Sequence, residues 1–161
     1  MNPLPWDGTW HAWRLDREVF KDSWNSGVGA QRSGGRWNPP GRRVIYASAD
    51  PSTAILEVAA HVGFDSLDSV PHVLTCFEVL DPNIIKVVQP EDVPNPNWLI
   101  PSQPSPNQQQ FADLLLARHP FVLIPSVTGR SWNLLVSCDL ADDKFKLVSQ
   151  ERFGLDTRLI K

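Results

Sequence analysis

The chain has 161 residues, a formal net charge of −3 at pH 7, and 15 Lys and Arg against 18 Asp and Glu. This length fits a single domain, which we expect to span residues 1–161 with a core from about 10 to 150, and it can bury roughly two thirds of the unfolded surface. The acidic balance argues against a protein that chiefly binds nucleic acid, because such domains usually carry a basic stripe.

Cysteine usage and hydropathy favour a soluble protein of the cytoplasm. Cys76 and Cys138 lie in apolar, strand-like segments without CxxC or Cys/His spacing, which disfavours a disulfide framework and a zinc site. No apolar run approaches the ~18 residues of a membrane span, and the first residues lack the basic and apolar regions of a signal peptide. We therefore expect no membrane contact.

The first predicted element is a strand over Trp10–Leu15, where large and small residues alternate. Arg14 shares one face of this strand with Trp10 and Ala12. The pattern then breaks down, and Ser26–Gly29 is predicted to be an exposed connection.

The next stretch reads as a loop, a strand and a helix. The loop Gly34–Gly41 combines glycines with one guanidinium and one indole, which suits a flat or anionic ligand. Arg43–Ser48 is rich in residues that favour a strand. Asp50 is a predicted N-cap with Pro51 at the first helical position, and the helix is expected to run to about Val62.

Glu57 is the unusual residue of this helix. It lies beside His61, four residues on, at the border of a broad apolar arc. A residue at such a border can face a cleft without leaving the core. The arc is formed by Ala54, Ile55, Val58, Ala59 and Val62.

The rest of the chain predicts five further strands and one helix. The strands are expected at residues 71–80, 84–88, 121–124, 132–136 and 144–148, and the helix at 107–118. The proline-rich segment 90–106 reads as an extended surface segment that is either a connector, which we favour, or an ordered flap. Seven strands and two helices without regular alternation predict an α+β fold with mainly antiparallel or mixed sheets.

Several residues are candidates for a site, each with an ordinary alternative. Glu57 has apolar neighbours on both sides, yet it could be a solvated helix acid. Arg14 and Arg36 are arranged as an anion grip would be, yet either could be a surface cation. The glycines could simply make turns, and their spacing matches neither a P-loop nor a dinucleotide-binding fingerprint.

Three more candidates have equally plain alternatives. Tyr46 could be an ordinary strand aromatic, His61 could only cap the helix or pair with Glu57, and Ser126 could be a turn serine that bonds its own backbone. Ser126 is not in a G-x-S-x-G motif, so a hydrolase elbow has no support.

Taken together, these pieces resemble the RES-domain family, which is named for its Arg, Glu and Ser and supplies the toxin of Xre/RES toxin–antitoxin modules. The G-G-R-W-N block followed 21 residues after its Arg by L-E-V is the most specific part. The matching pieces are Trp13-Arg14, Gly34–Asn38 with Pro40-Gly41, Val44–Ser48, Ala54–Val58 with His61, and Ile124–Ser126.

The resemblance implies a fold similar to ADP-ribosyltransferase toxins and NAD+ as the substrate, cleaved between nicotinamide and ribose with water or phosphate as the acceptor. The family's Arg, Glu and Ser map to Arg14, Glu57 and Ser126. Arg36 and Tyr46 match further pocket positions. No metal or cofactor is implied, and the expected partner is an Xre-like antitoxin that blocks the cleft in a hetero-oligomer.

In the resemblance, the two arginines hold the pyrophosphate, Tyr46 or Trp37 stacks on nicotinamide, and Ser126 orients a ribose or amide group. Many members read Asn-Pro-x-His after the last core strand, where this chain has Val136–Asp139, so no role is carried over to that turn. Two alternatives stay open: transfer of ADP-ribose to a protein, and a non-catalytic module that binds a ligand or nucleic acid.

Overall fold

A computed structural model describes residues 9–94, 105–128 and 130–160. Seven strands form one sheet in these residues. They are β1 (Trp10–Arg17), β2 (Val44–Ser48), β3 (His72–Val79), β4 (Ile85–Val87), β5 (Phe121–Pro125), β6 (Trp132–Ser137) and β7 (Phe145–Phe153).

The sheet has the order β4-β5-β6-β2-β1-β3-β7, and every neighbouring pair is antiparallel except β4 and β5. The described α-helices are α1 (Val28–Ser33), α2 (Pro51–Val62), α3 (Phe64–Ser69), α4 (Pro106–Leu116) and α5 (Cys138–Ala141). Short 3₁₀ segments lie at Glu18–Ser23, Pro82–Ile84, Pro90–Asp92 and Thr157–Ile160. The predicted α+β class with mixed strand directions is confirmed.

Both faces of the sheet are buried at β5, as its continuous apolar run requires, whereas the edge strand β7 is largely exposed. Alternate residues of β2, β5 and β6 supply two separate cores. One contains Ile45, Phe121 and Leu134 together with Trp24, and the other contains Val44, Val122 and Leu135 packed against Ala112 and Leu116 of α4. Side chains of β2 and β6 that face α4 can therefore also reach a site beside that helix.

β1 and β2 are the neighbouring strands with the least backbone pairing in the sheet. β1 pairs along its whole length with β3, and β2 pairs along its whole length with β6. Between β1 and β2 the described pairing is limited to Trp13 with Ser48. The two halves of the sheet therefore part beyond this point.

Helix α2 begins and ends as the sequence predicts. The Asp50 side chain accepts a hydrogen bond from the Thr53 N–H at 2.8 Å, and Pro51 opens the helix. Gly63 ends it with a positive φ of 81° and donates its N–H to the Ala59 carbonyl. Val62 is 49% exposed, so the predicted apolar arc does not extend to the last residue.

One prediction for the connecting segments needs correction. Ser26–Gly29 is not a simple exposed connection, because α1 begins at Val28 and this segment lines a cleft beside β1 and β2. The helices α1, α3 and α5 are too short to show a helical period, which is why the pattern missed them. Most of the predicted connector 90–106 lies outside the described residues, which stop at 94 and resume at 105.

Among the described residues, no helix has the length and apolar character needed to cross a bilayer.

Candidate active site

A cleft of about 800 Å³ opens where β1 and β2 part. Its walls come from α1, the glycine-rich turn that follows, both strands, α2 and one residue of α4. This volume is within the range of small-molecule and cofactor sites. The predicted site residues that line it are Arg14, Arg36, Trp37, Tyr46, Glu57 and His61.

Glu57 is held through one of its two carboxylate oxygens. Its Oε1 accepts hydrogen bonds from Ser126 Oγ at 2.7 Å, Asn133 Nδ2 at 2.8 Å and Thr128 Oγ1 at 2.9 Å. Within the described part of the chain, no donor is within hydrogen-bonding distance of Oε2. The carboxylate is thus fixed through Oε1, while Oε2 has no donor among the described residues.

Asn133 supports Glu57 from the sheet. It is the register partner of Ser48 across β2 and β6, and Ser48 Oγ donates to Asn133 Oδ1 at 2.8 Å. Both side chains are buried, with 2% of Ser48 and 8% of Asn133 exposed. The amide therefore accepts on one side and donates to Glu57 on the other.

The turn that carries Ser126 is tied to the start of α2. Ser131 Oγ donates to Asp50 Oδ2 at 2.7 Å, and the Ser126 N–H donates to the Ser131 carbonyl at 2.8 Å. Burial would raise the pKa of Asp50, but the hydrogen bonds from Thr53 and Ser131 outweigh it and lower the pKa. The helix and the turn that meet at Glu57 are therefore joined at a second point.

Arg14 bridges the open joint of the sheet. It is on β1, and its Nη1 donates to the Tyr46 carbonyl of β2 at 2.8 Å, while its Nε donates to Asp16 Oδ2 at 2.9 Å. Its side chain is 29% exposed and lines the cleft. Burial raises the pKa of Asp16, and the nearby charges of Arg14 and His72 only partly oppose this.

Arg36 lies in a tight turn closed at both ends. The Gly35 N–H donates to the Asn38 carbonyl at 2.8 Å, and Gln109 of α4 donates Nε2 to the carbonyls of Gly35 at 2.7 Å and Asn38 at 3.2 Å. Arg42 and Asp113 form a salt bridge of 2.7 Å that fixes α4 to the same region. The turn therefore presents Arg36 to the cleft from a rigid base.

Tyr46 supports this turn from below. Its hydroxyl donates to Asn38 Oδ1 at 2.6 Å and accepts the Trp37 N–H at 3.0 Å. Burial strongly raises the pKa of Tyr46, so the phenol stays neutral. A Cβ at Gly35 would lie 2.5 Å from the Tyr46 hydroxyl, so only glycine fits there.

The two predicted aromatic walls differ in exposure. Trp37 is only 1% exposed and packs with Val88, Val93 and Leu116 in the core on the α4 side. A ring so buried offers no open face, so Trp37 is poorly placed to stack on a ligand. Tyr46 is half-buried and lines the cleft.

The structure brings Glu57 and Ser126 into direct contact and sets Arg14, Arg36 and Tyr46 around the same cleft. His61 is exposed on the rim. Four polar residues of the site were not predicted from the sequence: Ser48, Gln109, Thr128 and Asn133. Ser48 and Asn133 carry a detectable signal, since each is a buried polar residue of a strand that is mostly apolar.

The described residues contain no group of three or more His, Cys, Asp or Glu side chains that could hold a metal ion.

Comparison with known proteins adds independent observations. The family model described as RES domain matches residues 11–156. The chain is 30% identical over 157 residues to Toxin Res of Photorhabdus laumondii, covering 92% of this chain and 96% of that protein. It is also 30% identical over 161 residues to the Prs ADP-ribosylating toxin of Sphingobium sp., with the same coverage of 92% and 96%.

Among solved structures, the fold is similar to a chain of the M. tuberculosis MbcT–MbcA toxin–antitoxin complex. The TM-score is 0.71 at 20% sequence identity, covering 91% of this chain and 85% of that chain. At this identity the likeness concerns the fold.

Proposed function

The chain belongs to the RES-domain family, and on that premise we propose that it is the toxin of a toxin–antitoxin system that degrades NAD+ by cleaving the bond between nicotinamide and ribose. The main support is the state of Glu57, whose Oε1 is held by three protein donors while Oε2 remains for a ligand. Two arginines at the same cleft match a substrate that carries a pyrophosphate.

The reaction breaks the bond between C1′ of the ribose and the pyridinium nitrogen. The bonding electron pair leaves with nicotinamide, which departs as a neutral molecule and needs little acid assistance. Positive charge develops on the ribose in an oxocarbenium-like transition state. The acceptor oxygen of water or phosphate then adds to C1′ and releases a proton.

Glu57 stabilises this transition state electrostatically. A fixed carboxylate beside the developing charge needs no reorganisation during the reaction, which is where such stabilisation is most effective. Oε2 can also accept a hydrogen bond from a ribose hydroxyl. Ser126, which is 1% exposed and bonded to Oε1, orients the carboxylate rather than the substrate.

The rest of the cleft holds the substrate. Arg14 and Arg36 bind the pyrophosphate oxygens by charge-assisted hydrogen bonds, and Tyr46 offers its ring to the nicotinamide. His61 on the rim contacts the outer part of the substrate. No metal or cofactor takes part in this scheme, and the enzyme acts on the NAD+ of the cytoplasm.

The test is incubation of the purified protein with NAD+ alone or with phosphate, with products separated by chromatography. We expect nicotinamide together with ADP-ribose or its phosphorylated form. In Glu57→Gln, the three donors would hold the amide oxygen in the Oε1 position and leave NH2 in place of Oε2. This variant should lose at least about 10²-fold in kcat.

Glu91→Gln is the matched control, because Glu91 is an exposed acid on a 3₁₀ segment and does not line the cleft. It should turn over NAD+ at the parent rate. Full activity of Glu57→Gln would show that this carboxylate does not stabilise the transition state.

Transfer of ADP-ribose to a protein is the second candidate, and the similarity to the Prs ADP-ribosylating toxin favours it. In that case NAD+ would be consumed slowly by the purified protein, and label from adenine-labelled NAD+ would enter a discrete protein band once lysate is added. Label that stays in free ADP-ribose would support degradation instead.

We further propose a cognate antitoxin of the Xre-like kind that covers the cleft in a hetero-oligomer, since the similar solved chain comes from a toxin–antitoxin complex. Expression of the chain alone should arrest growth, and co-expression with the product of the adjacent gene should restore it. Glu57→Gln should permit growth without that product.

A further inference from the structure

We propose that Asn133 is a positioning residue for Glu57 and that Ser48 locks its amide in the orientation this requires. The inference rests on the proposed function, in which Glu57 meets the ribose. It concerns the chain Ser48, Asn133 and Glu57, which runs from β2 through β6 to α2.

The direction of the hydrogen bonds in this chain is fixed by chemistry. An ionised carboxylate only accepts hydrogen bonds, so the Asn133 atom 2.8 Å from Oε1 must be the amide nitrogen. The amide oxygen then faces Ser48, and the Ser48 hydroxyl must donate to it across 2.8 Å. A flipped amide would set two acceptor oxygens against each other at the same distance.

Burial makes this arrangement effective. Ser48 and Asn133 are 2% and 8% exposed, so water cannot readily replace a lost partner. They also form a register pair of the β2–β6 ladder, which fixes the distance between their Cα atoms. The amide is therefore carried by the rigid part of the sheet, whereas Thr128 donates to Oε1 from an exposed turn.

Asn133 thus transmits the position of the sheet to the carboxylate of α2. Without it, Oε1 would keep two hydroxyl donors, which can rotate, and would lose the single donor with a fixed direction. Misplacement of a reacting group by ~1 Å can cost about 10²-fold in rate. The loss should therefore appear in kcat rather than in KM.

Asn133→Asp is the decisive variant because it keeps the shape and replaces the N–H by a titratable oxygen. Two carboxylates at this distance share one proton. While the pair holds that proton, the introduced carboxyl can donate to Oε1 as the amide does, and NAD+ cleavage should proceed. Once the proton is lost, the two charges repel, and the ratio of variant to parent kcat should fall about 10²-fold as the pH rises.

Two further variants separate positioning from general damage. Ser48→Ala frees the amide to flip, so we expect a several-fold lower kcat, unchanged KM and no new pH dependence. Asn83→Asp makes the same chemical change on an exposed side chain and should follow the parent at every pH. The proposal would be overturned if the ratio of the kcat of Asn133→Asp to the kcat of the parent did not change with pH.

A second measurement needs no turnover. The proton shared by Glu57 and the introduced carboxyl stabilises the folded state at low pH and is lost as the pH rises, so the unfolding temperature of Asn133→Asp should fall relative to the parent with rising pH. In the Glu57→Gln background this dependence should vanish. If the parent does not cleave NAD+, the proposed function fails, yet the unfolding temperatures still decide whether position 133 and Glu57 are coupled. Unfolding temperatures that show no such coupling would refute the positioning role of Asn133.

Discussion

At the scale of single residues, Arg14 has two hydrogen-bond partners with different effects: one fixes its position and the other offsets its charge. The Tyr46 carbonyl holds it across the open joint of the sheet, and Asp16 balances its charge. Asp16 is the more costly partner, because its side chain is 11% exposed and burial raises its pKa. Keeping Arg14 in the cleft therefore requires a buried Asp16, whose charged form lowers the stability of the folded chain.

The raised pKa of Asp16 predicts that the effect of Asp16→Asn on the free energy of unfolding depends on pH. A carboxyl with a raised folded pKa stabilises the fold fully below its ordinary value of 3.8, and this contribution is lost as the pH rises through the raised value. The introduced amide does not titrate and can still accept the Arg14 Nε–H. The free energy of unfolding of the variant, relative to the parent, should therefore increase with pH in urea titrations across the acid range.

Asp22→Asn is the control for that comparison, since Asp22 is an exposed acid in the neighbouring 3₁₀ segment. Its difference from the parent should stay near zero throughout. A difference for Asp16→Asn that does not change with pH would mean that Asp16 titrates alike in the folded and unfolded chain.

At the scale of elements, α4 fixes the turn Gly35–Asn38 that carries Arg36. Gln109 reaches two carbonyls of that turn, and the Arg42–Asp113 salt bridge adds a second attachment. If Arg36 binds the pyrophosphate equally in the ground state and the transition state, loosening its base weakens binding without slowing the chemical step.

We therefore expect Gln109→Ala to raise KM for NAD+ roughly tenfold, the equivalent of about 1.4 kcal/mol, with kcat nearly unchanged. Steady-state kinetics on NAD+ measure both constants. Gln110→Ala removes the next side chain of the same helix, which is exposed, and should leave KM as in the parent. A fall in kcat alone would place Gln109 in a different part of the mechanism.

The elements were predictable where one local pattern decides them. Alternation or runs of β-branched and apolar residues predicted all seven strands, although β7 continues to Phe153, five residues beyond its predicted end. Asp50, Pro51 and Gly63 mark the ends of α2 as observed. The strand order was not predictable, because pairing of β2 with both β1 and β6 depends on contacts distant in sequence. The same holds for Asn133, whose bond to Glu57 spans 76 positions and leaves no local period.

At the scale of the whole molecule, the cleft lies between the two halves of a divided sheet. One half ends at β1 with Arg14, and the other begins at β2 with Tyr46. A ligand that touches both halves adds contacts across the joint where strand pairing is limited to Trp13 and Ser48. Binding should therefore stabilise the folded chain as a unit.

This arrangement predicts a thermal shift in the Glu57→Gln variant, which should bind NAD+ without consuming it. At a concentration ~100 times Kd, binding adds about 2.7 kcal/mol, which corresponds to a rise in Tm of roughly 5–10 °C for a chain of this size. Differential scanning fluorimetry measures it. The double variant with Arg36→Ala should show a smaller shift, and no shift at millimolar NAD+ would argue against this substrate.

Because the hydrogen bonds from the described residues to Glu57 all reach Oε1, they also limit which cationic groups of an inhibitor can bind this carboxylate well. An amidinium or guanidinium group gains most when it meets both oxygens of a carboxylate, and here Oε1 already accepts three hydrogen bonds. A compound with one well-aimed hydroxyl or ammonium donor should match Oε2 better than a bidentate cation. Selectivity over enzymes with a fully accessible glutamate would then follow from presenting one donor instead of two.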